Sequence, residues 1–185
     1  MNIDNEQSTP FNRSYWVVPG KLLAGCYPGS ENNDEAHRKL KGLLDHGIRH
    51  IINLMEPGES NWDRKPFRPY EIQMKSIAES MGVDVSFERI PIRDMKTSSR
   101  IGMIHILDRI DQSIEHGRPV YIHCWGGRGR TGTVVGCYLA RHGYASGQKV
   151  LELIRDFRKN TEDYNQPSPE TSAQIDMVFS WVEEE

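Results

Sequence analysis

Residues 120–132 read Val-Tyr-Ile-His-Cys-Trp-Gly-Gly-Arg-Gly-Arg-Thr-Gly, a short apolar strand that runs into Cys124, followed by five residues, then Arg130 and Thr131. A cysteine is a good nucleophile at neutral pH only as its thiolate. The start of a helix offers unpaired backbone N–H groups and a positive dipole end to hold that charge. The same amides bind a phosphate dianion. Gly126, Gly127 and Gly129 let the backbone of the Trp125–Arg130 loop turn its N–H groups toward one centre, and Arg130 has the planar fork to close the ring with two parallel hydrogen bonds to phosphate oxygens. The pattern predicts a site for nucleophilic attack on phosphorus.

Two other readings of the same string compete. Gly127-Arg128-Gly129-Arg130-Thr131-Gly132 is formally a G-x-G-x-x-G turn after a strand, as dinucleotide-binding folds use. That fingerprint wants a second strand ending in an acidic residue about 20 positions on. Here residues 147–154, Gly-Gln-Lys-Val-Leu-Glu-Leu-Ile, have helical spacing instead. Alternatively Cys124 is a small buried hydrophobe at a strand end, a role that gives no reason for the glycines, the arginine and the threonine beside it.

The string His123-Cys124-(five residues)-Arg130-Thr131-Gly132 resembles the signature loop of the cysteine-dependent protein tyrosine and dual-specificity phosphatases. The segments Trp16-Val17-Val18-Pro19-Gly20-Lys21-Leu22-Leu23-Ala24-Gly25 and Gly47-Ile48-Arg49-His50-Ile51-Ile52-Asn53-Leu54 are similar to the first strands of the dual-specificity type, so that the likeness covers roughly residues 14–183. It implies that Cys124 forms a phosphocysteine, that Arg130 holds the phosphoryl group, and that no metal or other cofactor takes part. A general acid is implied on a separate loop. Asp94, in Ile90-Pro91-Ile92-Arg93-Asp94-Met95, lies 30 residues before Cys124, the place of that loop in compact members. The resemblance further implies that His123 orients the loop, that Thr131 donates its hydroxyl to the Cys124 sulfur, and that Gln174, in Ser168-Pro169-Glu170-Thr171-Ser172-Ala173-Gln174, positions the hydrolytic water.

Each role has a physical need behind it and a plainer competitor. Next to Arg130 and a helix start, the Cys124 thiol is expected to ionise below the free value of about 8.5. The leaving oxygen needs a proton, which a carboxylic acid on a mobile loop can give and later recover from water. Asp94 competes with a helix-capping role near Thr97 or Ser98, and Asp84 and Glu88 stay open as acids. Thr131 is also a plausible helix-start hydroxyl, and Gln174 a plausible first-turn residue, although Ser168-x-x-Thr171 lacks the Glu or Gln of a capping box. Arg128 adds a second cation, expected at the rim, that would favour ligands with several phosphates unless an acid pairs with it. Trp125 is either a wall for an aromatic substrate or packing beneath the loop.

These residues need a scaffold, and the chain alternates short strands with helices. Strands are expected near 16–18, 22–24, 49–54, 84–89 and 119–123, and helices near 33–46, 69–82, 98–116, 130–142, 146–158 and 168–183. Ile101, Ile104, Leu107, Ile110 and Ile114 predict one apolar stripe on the third helix, and Ile175, Val178 and Val182 the buried side of the last. The fold class is α/β: a single domain with a central, mostly parallel mixed sheet flanked by helices on both faces, and the site at the carboxyl ends of the strands. Residues 1–13 are expected to be a loose N-terminal segment and 14–185 the catalytic domain.

Composition sets the remaining bounds. The 185 residues are 37% hydrophobic and 26% charged, ordinary globular usage for one core. A net charge of −3 gives no overall attraction to nucleic acid. No apolar run reaches membrane-spanning length. Three cysteines make no disulfide framework, and the polar start lacks a signal-peptide core, which together predict a reduced cytoplasmic setting. His37, His105 and His116 have no ligand-spaced partner, so no metal site is expected. The leading expectation is a metal-independent phosphatase with a phosphate or sulfate ion fitting its loop and a phosphorylated protein, chiefly phosphotyrosine, as substrate. An inositol phosphate or phosphoinositide is the alternative substrate, and a phosphate-binding module without catalysis the alternative of another class.

Overall fold

The computed structural model describes residues 8–183. Eleven elements follow one another within them: β1 (Ser14–Val18), β2 (Leu22–Gly25), α1 (Asn33–Asp45), β3 (His50–Asn53), α2 (Glu71–Ser80), β4 (Ser86–Arg89), α3 (Arg100–Glu115), β5 (Val120–His123), α4 (Gly129–Arg141), α5 (Gln148–Phe157) and α6 (Ser172–Phe179). The five strands form one mixed sheet in the order β1-β2-β5-β3-β4, antiparallel between β1 and β2 and parallel elsewhere. This is the α/β architecture that the alternation of elements predicts.

Strand periodicity divides the core between two faces. Tyr15, Val17, Leu22, Ala24, Ile52, Val120 and Ile122 pack with α3 to α6, whereas their neighbours Trp16, Leu23, Ile51 and Tyr121 pack with α1 and α2. Helix α1 starts where Asn32 accepts from the N–H groups of Asp34 and Glu35, and it buries Leu40, Leu43 and Leu44. Helix α4 is buried along nearly its whole length. Its Gly136 lets α6 approach so closely that a Cβ there would sit 2.6 Å from Val178 Cγ2.

Three expectations need correction. The buried stripe of α3 is Met103, Ile106, Leu107 and Ile110; Ile101 is exposed, and Ile104 and Ile114 lie at the edges, because the sheet meets the helix one position round from the isoleucine row. In the last segment Gln174, Val178 and Trp181 are buried and Val182 is exposed, since α6 ends at Phe179 and the chain turns Trp181 inward. Of the segment expected to be loose, residues 1–7 lie outside the described residues, and residues 8–13 are held. Trp16 Nε1 donates to the Ser8 carbonyl at 3.1 Å, Glu162 N to Asn12 Oδ1 at 3.0 Å, and Arg13 Nη2 to the Gly126 carbonyl at 2.9 Å.

Parallel pairing brings the ends of four strands to one edge of the sheet. From β5 the chain enters Cys124, from β3 it enters the 54–70 loop, from β4 it enters the loop carrying Asp94, and from β2 it reaches Cys26. Backbone bonds lash these exits together: Leu54 N to His123 O at 2.9 Å, Ile92 N to Leu54 O at 3.0 Å, and Tyr27 N to Trp125 O at 2.9 Å.

Candidate active site

Cys124 follows β5 directly, and α4 begins at Gly129, so residues 124–128 form a tight loop at the helix N-terminus. The thiol is 3% exposed, and its Sγ accepts from the Gly127 N–H at 3.3 Å. Gly127 has φ +74°, and a Cβ there would lie 2.5 Å from the Gly25 carbonyl carbon and 2.6 Å from Cys26 N. Both the left-handed backbone and the pressed contact with the end of β2 demand glycine.

His123 is fully buried beneath the loop. Its Nδ1 lies 3.0 Å from the Cys124 carbonyl and its Nε2 2.6 Å from Tyr70 Oη. A carbonyl oxygen only accepts, so Nδ1 carries the proton and Nε2 accepts from the tyrosine. Burial pushes the imidazole pKa down to about 3, partly offset by the bond to the Cys124 backbone. His123 is thus a neutral strut between the Cys124 carbonyl and Tyr70.

Arg130, in the first turn of α4, is 2% exposed and reaches back under the loop. Its two terminal nitrogens meet both oxygens of Glu59, Nη2 at 3.0 Å from Oε2 and Nη1 on Oε1. Nη1 also donates to the Ile92 carbonyl at 3.1 Å, and Nη2 lies 3.1 Å from Asp94 Oδ1. Burial disfavours the charged form, but the carboxylates of Glu59 and Asp94 and the Cys124 sulfur outweigh it, and the guanidinium pKa is raised. Two-pronged pairing fixes the plane of the fork before any ligand arrives.

Asp94 sits in the loop after β4, 52% exposed at the side chain, and lines the same cavity of about 160 Å³ as Cys124 and Arg130. It caps no helix: the cap of α3 is Ser99, whose Oγ accepts from Gly102 N at 3.1 Å. The other candidate acids are elsewhere. Asp84 pairs with Arg118 and Glu88 with Arg109, each at 2.9 Å or less, and neither lines the Cys124 cavity.

Arg128 lines the cavity, but it is not a free cation. Its Nη2 is 2.8 Å from Glu170 Oε1, and its Nε lies 3.9 Å from Asp163 Oδ2. Asp163 also meets Arg13 at 3.4 Å and Arg158 at 3.3 Å. Trp125 is half-buried beside the cavity, with the Phe67 ring 5.5 Å and the Trp62 ring 4.8 Å from its own.

Two expected roles are not met. Thr131 Oγ1 is buried with no hydrogen-bond partner, so the expected donation to the Cys124 sulfur is absent. Gln174 does not face the cavity. Its Oε1 accepts from the N–H groups of Glu170 and Thr171, its Nε2 donates to the Lys96 carbonyl, and with Thr171 it forms a capping box at the start of α6. The box runs from Thr171 to Gln174, three residues later than the frame that begins at Ser168, and it consumes the amide expected to hold water.

Glu59, Trp62 and Arg13 have no motif in the sequence, and Glu170 stands in the Ser168–Gln174 string with no role assigned to it. Each is an ordinary residue of a loop, and its place at the site comes from tertiary contact alone. Among the described residues no group of three or more His, Cys, Asp or Glu side chains is arranged to hold a metal, no disulfide is formed, and no helix is long and apolar enough to cross a membrane.

Residues 11–179 match the family model described as PTP-SAK, Swiss Army Knife protein, DSP-PTPase phosphatase domain. Protein tyrosine phosphatase domain-containing protein 1 of Mus musculus is 27% identical over 159 residues, which is 85% of this chain and 21% of that protein. Phosphatidylglycerophosphate phosphatase PTPMT2 of Arabidopsis thaliana is 28% identical over 138 residues, 74% of this chain and 52% of that protein. The chain therefore spans about a fifth and about half the length of these curated relatives. The crystal structure of Tk-PTP in its active form shares the fold, with a TM-score of 0.62 at 23% identity over 90% of this chain and 93% of that one.

Proposed function

The chain belongs to the PTP-SAK family of DSP-PTPase phosphatase domains, and from that membership we propose that it hydrolyses phosphate monoesters through a phosphocysteine, with protein phosphotyrosine as substrate. The observation that carries this reading is the meeting of Cys124, Arg130 and Asp94 in one cavity, with Arg130 already oriented by Glu59.

The phosphoryl dianion enters the loop, accepts from its backbone amides, and takes over the Arg130 Nη2 contact now made by Asp94. The Cys124 thiolate attacks phosphorus in line, the S–P bond forms, and the P–O ester bond breaks. Asp94 gives its proton to the leaving oxygen. In the second step water attacks phosphorus, yields a proton to the Asp94 carboxylate, and the S–P bond breaks to return the thiolate and inorganic phosphate. Charge gathered on the equatorial oxygens is held by the loop amides and by Arg130, once Asp94 has released its Nη2. A nucleophilic thiol persists where the redox setting is reducing, which supports a cytoplasmic location.

An inositol phosphate or phosphoinositide is the second reading, favoured by Arg13 and Arg128 on the wall of the same cavity. Both are already paired with Asp163, and Arg128 with Glu170, so that wall carries little uncompensated charge. A burst assay over phosphotyrosine peptides, phosphoserine peptides and inositol phosphates tests the reading. A stoichiometric burst with fastest turnover of phosphotyrosine is expected. Binding without a burst would leave a phosphate-binding module, and preference for inositol phosphates would move the substrate to the second class.

A further inference from the structure

The 54–70 loop carries a second device beside Glu59. Ser60 and Pro66 form an antiparallel bridge, Asn61 N donates to the Lys65 carbonyl at 2.9 Å and Phe67 N to the Glu59 carbonyl at 3.1 Å, closing a small hairpin over residues 59–67. Its tip is braced by Asn61 Oδ1, which accepts from Asp63 N and Lys65 N, both at 3.0 Å. At that tip stands Trp62, 88% exposed.

An indole left so far in water forgoes the largest burial any side chain has to offer the fold. Yet Trp62 is neither loose nor remote. Its ring centre lies 4.8 Å from that of Trp125, the residue after the nucleophile, and Trp125 is in turn 5.5 Å from Phe67, which is 4.8 Å from Tyr27. This run of four rings starts in the partly buried packing under the loop and ends in solvent on Trp62. The same hairpin is pinned at its base by the Glu59 pair with Arg130, so two points three residues apart hold it against the signature loop.

Trp62, Trp125 and Met95 share the cavity with Cys124 and Arg130 and are its apolar lining; Arg13, Arg128 and Glu170 also line it, and their charges are compensated by ion pairs. Trp62 thus stands on the wall of the same cavity in which Cys124 and Arg130 would meet a phosphate ester. We propose that Trp62 is the specificity-determining residue of this site, and that it selects aryl phosphates by stacking the leaving-group ring against the Trp62–Trp125 wall. The inference rests on the catalytic reading above and adds to it the element that chooses phosphotyrosine over alkyl esters. A planar apolar ring gains from such a wall in both burial and ring geometry, whereas the hydroxylated chair of an inositol or a short serine ester buries less apolar area and has no ring quadrupole to match.

The test compares wild type, Trp62→Ala and Trp62→Phe on a phosphotyrosine peptide, the matching phosphoserine peptide, and phosphatidylglycerophosphate carried in phosphatidylcholine vesicles, with urea midpoints to confirm the fold. Trp62→Ala is expected to lower the aryl-to-alkyl ratio of kcat/KM about tenfold, chiefly through KM for the aryl ester, and Trp62→Phe to restore most of it. An unchanged ratio would overturn the inference and leave Trp62 as a brace for Glu59. A loss greatest on the vesicle substrate would overturn it in favour of a membrane contact. Wild type that turns over only alkyl esters would also overturn it, and with it phosphotyrosine as the substrate, while leaving the phosphocysteine route standing; wild type that turns over no phosphate ester would end both.

Discussion

Glu59 and Arg130, 71 residues apart in the chain, form a two-pronged ion pair beneath the signature loop, with Nη2 3.0 Å from Oε2 and the arginine 2% exposed. The pair sets the plane of the guanidinium, together with the bonds from Nη1 to the Ile92 and Leu54 carbonyls. Removing the acid leaves a buried charge partly uncompensated, with Asp94, the Cys124 sulfur and two carbonyls still near it.

Glu59→Gln is therefore expected to destabilise the domain by about 3 kcal/mol, read as a lower urea midpoint at unchanged slope. Turnover should fall by about 10²-fold as the fork loses its plane. An unchanged midpoint together with wild-type turnover would show that Arg130 is oriented by the carbonyls alone.

The second expectation concerns pH. His123 is held neutral in the folded state, with a pKa of about 3, against 6.5 in the unfolded chain. The unfolded state thus binds the extra proton, so the stability this residue contributes is complete above pH 6.5 and is lost as pH falls from there toward 3. The loss approaches about 1.4 kcal/mol per pH unit. Burial lowers the His50 pKa as well, adding in the same direction. Urea unfolding at pH 7, 6 and 5 should show the decline, and the His123 ring proton resonances should stay flat over that range. A resonance that titrates near pH 6.5 would contradict the neutral strut.

Gly127→Ala should abolish binding of inorganic phosphate, measured by calorimetry, while the domain still unfolds cooperatively. The added methyl meets backbone atoms of Gly25 and Cys26 at 2.5 and 2.6 Å, and the residue needs φ +74°, so the loop has to move. Phosphate binding within twofold of wild type would show that the loop amides are not the phosphate cradle.

Arg128→Ala removes a cation that Glu170 already neutralises at 2.8 Å. Its loss should raise KM for a phosphotyrosine peptide and for an inositol polyphosphate by similar small factors, at most about fivefold, because the half-buried cation is engaged by its own acids and not offered to the ligand. A larger rise for the polyphosphate alone, shrinking with added salt, would favour the second substrate class.

The sequence makes the centre of this site legible and its surroundings much less so. Cys124, the glycines and Arg130 stand in one contiguous string after an apolar strand, so local pattern suffices to place them. Asp94 can be found only through its distance from Cys124 and the family resemblance, and the structure then puts it against Arg130. Glu59, Trp62 and Arg13 are unremarkable loop residues in sequence, and their roles arise from which strand ends the parallel sheet gathers. Gln174 shows the opposite difficulty. Its resemblance to a water-positioning residue is overruled by a capping frame three residues further along, which ties up both ends of its amide. On α3 the isoleucine row and the Met103–Ile106–Leu107–Ile110 row are both helical in period, and only the docking angle on the sheet decides between them.

The central claim is that Cys124 itself carries the phosphoryl group. Acid quench of the protein during turnover of a phosphotyrosine peptide, followed by peptide mass spectrometry, reads it most directly. A phosphoryl adduct on Cys124 is predicted in wild type. It should accumulate if the water step is slowed in Asp94→Asn, whose turnover is expected to drop by about 10²–10⁴-fold, and it should be absent from Cys124→Ser, which should have no turnover. Phosphate found on another residue, or turnover by Cys124→Ser within about tenfold of wild type, a barrier change of only about 1.4 kcal/mol, would contradict the account.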